Sequence, residues 1–210
     1  MSSRYGRRSR NGEAEVANSL PEELARRVRV VVLDVDGVFT DNGVYIGATT
    51  SGEPVELKKF DIMDGLGVKM LQWSGLHVVL VSGRESPATW IRAEELGVEC
   101  RQVAGGYKVP LVEAVLEEAG ADWTELAVVA DDLADLPVLI RAGLPVAVAN
   151  AAAEVRAEAR WVTRRAGGSG AVREFAEALL RARGRWSNLV TAYRRSREEG
   201  GEVTAFLGEV

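Results

Sequence analysis

The run Val28-Arg29-Val30-Val31-Val32-Leu33 is β-branched and lacks the polar alternation of a strand with one wet face. Such a strand needs cover on both faces, as it has inside a parallel sheet flanked by helices. Comparable runs recur at His77–Val81, Leu126–Ala130 and Leu144–Val148, with a weaker one at Trp161–Thr163. Segments with helical spacing lie between them, at Gly65–Trp73, Ser86–Leu96, Lys108–Ala119, Asp135–Ala142, Ala151–Ala159 and Ala171–Arg183. Regular strand–helix alternation predicts βαβ units and an α/β fold, a doubly wound, mostly parallel, Rossmann-like sheet. Gly43–Gly47 and Val55–Phe60 flank a Gly/Thr/Ser turn region and predict a β-hairpin inserted after the first strand. No stretch is long enough for a cap domain.

Composition narrows the chemistry. The chain has 210 residues, 47% of them hydrophobic, and a net charge of -5. An acidic surface has no overall attraction for phosphate backbones, so no nucleic-acid partner is expected. One Cys (Cys100) and one His (His77) exclude a disulfide framework, a structural zinc site and most histidine-based catalysis. No apolar run approaches the roughly 20 residues that span a bilayer, so no membrane partner and a cytoplasmic location are expected. Residues 1–19, with Arg4, Arg7, Arg8 and Arg10, read as a disordered basic tail. Order should begin near Ser19, which precedes a Pro at a helix's first position. The main domain should span 20–185, and 186–210 form a C-terminal tail that is partly helical.

Ligands of open α/β sheets sit beyond the carboxyl ends of the strands. After the first strand comes Asp34-Val35-Asp36-Gly37, and after the second run Ser82-Gly83-Arg84. Lys108 opens a helix, and Asp131-Asp132, then Asp135, follow the run at Leu126–Ala130. Each segment alone has an ordinary explanation. Asp-Gly pairs are mostly turns, Ser-Gly can cap a helix, and a lone Lys is usually solvated. A calcium loop fails because the Gly comes too early and Tyr45 stands where a bidentate Glu belongs. Joint placement after successive strands is harder to explain as turn chemistry.

The chemistry such a cluster permits is phosphoryl transfer. Grouped carboxylates cannot all stay ionised unless a cation neutralises them or they share protons. Mg²⁺ suits the site, since it takes a few carboxylates plus water and phosphate oxygens. One carboxylate can then attack phosphorus, while another two residues on protonates the leaving alcohol and later activates water. Ser82 and nearby backbone N–H groups can bind phosphate oxygens, and Lys108 supplies a point charge for the pentacoordinate centre.

These segments, DVDGVFTD, SGR, Lys108 and ADDLADLPV, resemble the four motifs of the haloacid dehalogenase superfamily. Phe60–Gly67 and Ala166–Glu174 are similar to its small uncapped branch, which includes the 3-deoxy-D-manno-octulosonate 8-phosphate phosphatases. The resemblance covers about Val28 to Arg183. It implies that Asp34 is the nucleophile and Asp36 the general acid/base, with Ser82 and Lys108 in phosphate-binding roles. The implied Mg²⁺ ligands are Asp34, Asp36 through its main-chain carbonyl, and Asp131, with Asp132 in support. The implied contacts to a sugar acid are Asp36, Asp61, Ile62, Met63, Asp64, Gly65, Lys69, Arg84, Arg92 and Lys108. It also implies a homotetramer whose hairpins pack together, and a place in lipopolysaccharide precursor synthesis.

Three positions depart from the pattern. Ala130 replaces a usual Gly, and Met63 and Lys69 stand where arginines are common, which alters how a carboxylate or polyol is gripped. A nine-carbon acid 9-phosphate is therefore the alternative substrate, and a non-catalytic oligomerisation module of the same fold the alternative role. Gly167–Gly170 lacks the Lys-Ser/Thr of a P-loop and reads as a flexible lid or intersubunit loop. The five Trp residues show no stacking-platform spacing, His77 reads as a core or edge residue, and Cys100, beside a short strand, as an inert buried thiol. Asn188–Glu199 reads as a weak amphipathic helix that docks on a neighbour or frays.

Overall fold

The computed structural model describes residues 19–207. The basic tail expected at 1–19 lies, apart from Ser19, outside the described residues. The first helix of the described residues is α1 (Glu22–Arg27), where Pro21 occupies the cap position and not, as expected, the first turn. Strand β1 (Val30–Asp34) then runs through the core with every residue buried. Its neighbours β4 (His77–Ser82) and β6 (Leu126–Ala130) are parallel to it on either side. β5 (Glu99–Gln102), β7 (Leu144–Ala147) and β8 (Trp161–Val162) complete a six-stranded sheet in the order β5-β4-β1-β6-β7-β8. The chain moves outward from β1 to β5 and then crosses back to β6, so β1 sits at the switch point where the strand order reverses.

The helices are α2 (Ile62–Trp73), α3 (Pro87–Leu96), α4 (Lys108–Ala119), α5 (Leu136–Leu139), α6 (Ala153–Glu158), α7 (Ala171–Ala182) and α8 (Trp186–Glu199). Contacts group α1, α2, α7 and α8 in one layer and α4, α5 and α6 in another. Three boundaries differ from the sequence reading for local reasons. α2 starts at Ile62, because the Asp61 side chain accepts from Met63 N at 2.7 Å and caps the helix three residues before the first apolar-periodic position. α5 is a single turn preceded by a tight turn at Leu133–Asp135, and not the longer helix the apolar spacing suggested. β5, whose residues Glu99, Arg101 and Gln102 are polar, was not among the apolar runs; it is an edge strand, paired only with β4.

The hairpin is present as β2 (Tyr45–Ala48) and β3 (Pro54–Leu57), a separate antiparallel pair. A bridge between Thr40 and Phe60 closes its base. Helix α8 docks on its own chain: Trp186, Leu189 and Ala192 are buried, and the Tyr193 ring lies 5.9 Å from that of Trp73.

Candidate active site

The sequence places Asp34 at the last position of β1 and turns the chain immediately after it. The turn is closed by Thr40 N donating to Val35 O at 2.9 Å, while the Thr40 hydroxyl accepts from Gly37 N at 3.3 Å. Gly37 has φ +93, and a Cβ there would stand 1.9 Å from Asp131 Oδ2. Only glycine permits both that backbone conformation and that approach, so the turn-like Asp36-Gly37 pair is what brings the carboxylates of β1 and β6 together.

Lys108, at the start of α4, is buried between two carboxylates. Its Nζ donates to Asp34 Oδ1 and, at 2.6 Å, to Asp135 Oδ1. Asp34, Asp131 and Asp135 each offer an oxygen within 4.8 Å of the others. Burial, then repulsion from Asp135, raises the pKa of Asp34 well above the carboxylate range, with Lys108 opposing. Asp131 is pushed up to about 7 by burial and by Asp135 and Asp132. Burial works against the Lys108 ammonium, yet the two carboxylates outweigh it and raise its pKa further. The cluster carries more negative charge than one ammonium can neutralise, and its donors are all hard oxygens. It fits a divalent ion such as Mg²⁺, which would rest on Asp34 and Asp131. Asp135 had no role in the sequence reading; it is a counter-ion that holds Lys108. Its signal was available, since the third carboxylate follows Asp131 by one helical turn.

The Asp36 side chain lies outside this carboxylate group. Its Oδ1 stands 2.7 Å from Lys58 Nζ and its Oδ2 3.5 Å from Ser82 Oγ, so its carboxylate is not one of the three whose oxygens group together. The Ser82 hydroxyl donates to Arg84 O at 2.8 Å and accepts from Arg84 N at 3.1 Å, so in this state it shapes its own turn. A cleft of about 270 Å³ opens above these groups, lined by Asp34, Asp36, Arg84, Lys108, Asp131 and Asp135 among others. Asn42, Val44, Gly106 and Ala134 also line it; the sequence reading passed over them.

The other expected substrate contacts do not line this cleft. Asp61 caps α2, and Ile62 and Met63 are exposed on its first turn. Asp64 is fully buried and accepts from Gly170 N at 3.1 Å and Arg173 N at 2.8 Å, at the start of α7. Burial raises its pKa to about 6 against those hydrogen bonds. Gly65 leaves room for the Arg92 guanidinium, whose Nη2 would be 2.4 Å from a Cβ at that position. Arg92 pairs with Glu95 at 2.8 Å and stacks over Phe60. Lys69 reaches toward Gly97, at the end of α3. Arg84 does reach the cleft, with its guanidinium donating to Glu56 of β3. The Gly167–Gly170 loop is not a free lid within its own chain. Gly168 N donates to Val38 O at 3.1 Å, Gly167 N to Asn150 Oδ1 at 2.7 Å, and Lys59 holds the Gly168 carbonyl.

A family model of haloacid dehalogenase-like hydrolases matches residues 102–175. The chain is 38% identical over 161 residues, 77% of its length and 84% of the relative's, to the 3-deoxy-D-manno-octulosonate 8-phosphate phosphatase of Escherichia coli K12. The same enzyme from Moraxella catarrhalis, solved with magnesium, phosphate and KDO, is similar in structure with a TM-score of 0.75 at 29% identity, over 82% of this chain and 97% of that one. A probable phosphatase from Pseudomonas syringae gives a TM-score of 0.75 at 38% identity, over 82% and 96% of the two chains.

Proposed function

The chain belongs to the haloacid dehalogenase-like hydrolases, in the family of 3-deoxy-D-manno-octulosonate 8-phosphate phosphatases, and from that premise we propose that it hydrolyses a phosphorylated 3-deoxy-2-keto sugar acid, foremost the eight-carbon 8-phosphate. The observation that carries this reading is the buried group of Asp34, Asp131, Asp135 and Lys108 at the mouth of β1 and β6, with Asp36 beside it. Asp34 attacks phosphorus and forms an aspartyl-phosphate as the ester P–O bond breaks. Asp36 gives its proton to the leaving alkoxide and then takes one from the water that hydrolyses the intermediate. Lys108 stabilises the charge on the transferring phosphoryl oxygens, and the backbone N–H groups around Gly83 bind them. Mg²⁺, held by Asp34, Asp131 and the Asp36 carbonyl, would neutralise these carboxylates and the phosphate charge. Retention of a self-repelling carboxylate cluster speaks against a scaffold role, which has no use for it.

The sugar acid then extends from the cleft past Arg84, and its contacts to Asp61, Ile62, Met63, Lys69 and Arg92 come from a neighbouring subunit of a homotetramer, with buried Asp64 and Gly65 shaping that stretch from beneath. The exposure of Ile46 (78%) on the hairpin and Ile62 (84%) on α2 supports such packing. We place the enzyme in the cytoplasm, where a free thiol such as Cys100 persists. No helix among the described residues is long and apolar enough to cross a membrane. A second substrate reading, a nine-carbon acid 9-phosphate, is favoured by Met63 and Lys69. Phosphate release with Mg²⁺ from the eight-carbon and nine-carbon acid phosphates and from hexose phosphates, with EDTA and Asp34→Asn controls, tests the assignment. Preference for the eight-carbon acid supports it, preference for a nine-carbon acid moves it to the second reading, and no metal-dependent release from any of them overturns it.

A further inference from the structure

Lys58 is a charged residue in an unexpected place. It follows β3 on the stem of the exposed hairpin, yet its side chain is 0% exposed. An ammonium taken out of water is costly unless charge and hydrogen bonds compensate it. Its partners are Asp36 Oδ1 at 2.7 Å and the Thr89 hydroxyl of α3 at 3.2 Å. Asp36 Oδ1 is enclosed, and among the described residues no donor is aligned on it for a hydrogen bond; the contact with Lys58 is one of charge at short range. The rest of the Asp36 side chain is 23% exposed and lines the cleft. The hairpin stem therefore reaches into the catalytic turn from outside the sheet and holds one oxygen of one carboxylate.

We propose that Lys58 is a positioning residue for Asp36. It anchors Oδ1 inside the protein and turns Oδ2 toward the ester oxygen of the substrate, away from the carboxylate group that suits the metal. With Oδ1 held against Lys58 inside the protein, Oδ2 is the oxygen left facing the cleft, where the leaving group departs as the P–O bond breaks. The hairpin thereby sets the geometry of proton transfer in addition to any part it has in packing. A merely structural Lys58 would need only the Thr89 hydrogen bond and its buried stem, and its loss would weaken all substrates alike.

The inference rests on Asp36 being the proton donor, and the test separates the two. An alkoxide needs a proton as it departs, whereas p-nitrophenolate, far less basic, leaves without one. The quantity to measure is kcat/KM for 3-deoxy-D-manno-octulosonate 8-phosphate and for p-nitrophenyl phosphate, in the wild type, Lys58→Met, Lys58→Arg and Asp36→Asn. In Lys58→Met the alkyl ester should lose about 10- to 100-fold and the aryl ester less than about threefold. Lys58→Arg, which keeps the charge, should hold the alkyl-to-aryl ratio within about threefold of wild type. Asp36→Asn is the standard and should show the selective loss in larger degree. Equal losses on both esters in Lys58→Met, or no loss, would overturn the role of Lys58 alone, provided Asp36→Asn is selective. If Asp36→Asn is not selective, the assignment of Asp36 falls and this inference with it. Should Lys58→Met fail to fold, Lys58→Arg decides: a ratio shifted as in Asp36→Asn contradicts the proposal.

Discussion

Two regions that the sequence assigned to one site behave differently in the structure. At the carboxyl edge of the sheet, Asp34, Lys108, Asp131 and Asp135 are buried together in one chain, with Lys108 bonded to Asp34 and Asp135. On α2 and α3, the stretch assigned to the sugar acid is engaged elsewhere: Asp61 caps its helix, Asp64 holds α7, Arg92 pairs with Glu95, and Ile62 and Met63 face outward. Groups that move a phosphoryl unit must be preorganised by the fold, because their geometry sets the rate. Groups that select a sugar need only be presented where a substrate reaches, and a second copy of the chain can present them.

The largest effect expected from this contrast is on the first region. Asp34→Asn should lower kcat by at least about 10⁴-fold, as loss of a covalent nucleophile does. Asp61→Asn, at the cap of α2, should leave kcat within about fivefold. A comparable collapse of kcat at Asp61 would break the contrast, since it would put that carboxylate in the chemistry. Steady-state phosphate release from both variants decides it.

Next in size is the balance of charge. Lys108→Met leaves three carboxylates within 4.8 Å of one another without their ammonium. In EDTA the variant should unfold about 3–5 kcal/mol more easily than wild type in urea, the cost of stripping a buried charge cluster of its partner. Added Mg²⁺ should recover more stability in the variant than in wild type. Equal sensitivity to Mg²⁺ in both proteins would mean that the carboxylates are compensated by other groups.

The difference between the two regions also explains what the sequence made legible. β1, β4, β6 and β7 were readable because a strand covered on both faces must be a continuous apolar run, and the residue just past each run must then lie at one edge. β5 was legible only as a short strand beside Cys100 and not as an apolar run, since an edge strand can carry Glu99, Arg101 and Gln102 at little cost. Asp34, Asp131 and Lys108 were legible from chain position alone. Lys58 was not assigned, because its partner lies 22 positions away and nothing local marks a counter-ion, whereas Asp135 was passed over although it follows Asp131 by one helical turn. Asp64 looked like a substrate ligand by its place in a motif. Its burial under the first turn of α7 depends on how two helices pack, which no local pattern of the chain displays.

Asp64 gives an effect of intermediate size, on pH. Its folded pKa is about 6, against an ordinary 3.8, with burial the first cause. A raised carboxyl pKa contributes stability that is present below about pH 4 and lost as pH rises through about 6, because the folded state holds its proton longer. The full difference is about 3 kcal/mol. Asp64→Asn removes that titration, so the stability gap between wild type and variant should change by about that amount between pH 4 and pH 7 and stay level above it. Urea unfolding of both proteins across that range measures it. A gap independent of pH would show that the N–H groups of Gly170 and Arg173 fully compensate the buried charge.

The smallest effect belongs to the sugar stretch. Met63 is 44% exposed at the start of α2 and does not line the cleft. Met63→Arg adds a cation that can pair with a sugar-acid carboxylate, an interaction of about 1 kcal/mol at a site open to water. KM for the eight-carbon acid phosphate should fall about three- to tenfold with kcat unchanged, while p-nitrophenyl phosphate, which has no such carboxylate, should be insensitive. On the proposal that a neighbouring subunit brings position 63 to the substrate, the gain should fade when the enzyme is diluted until it dissociates. A KM effect that survives in the monomer would place Met63 beside the cleft of its own chain, and the contrast between a self-contained catalytic edge and a shared specificity surface would fail there.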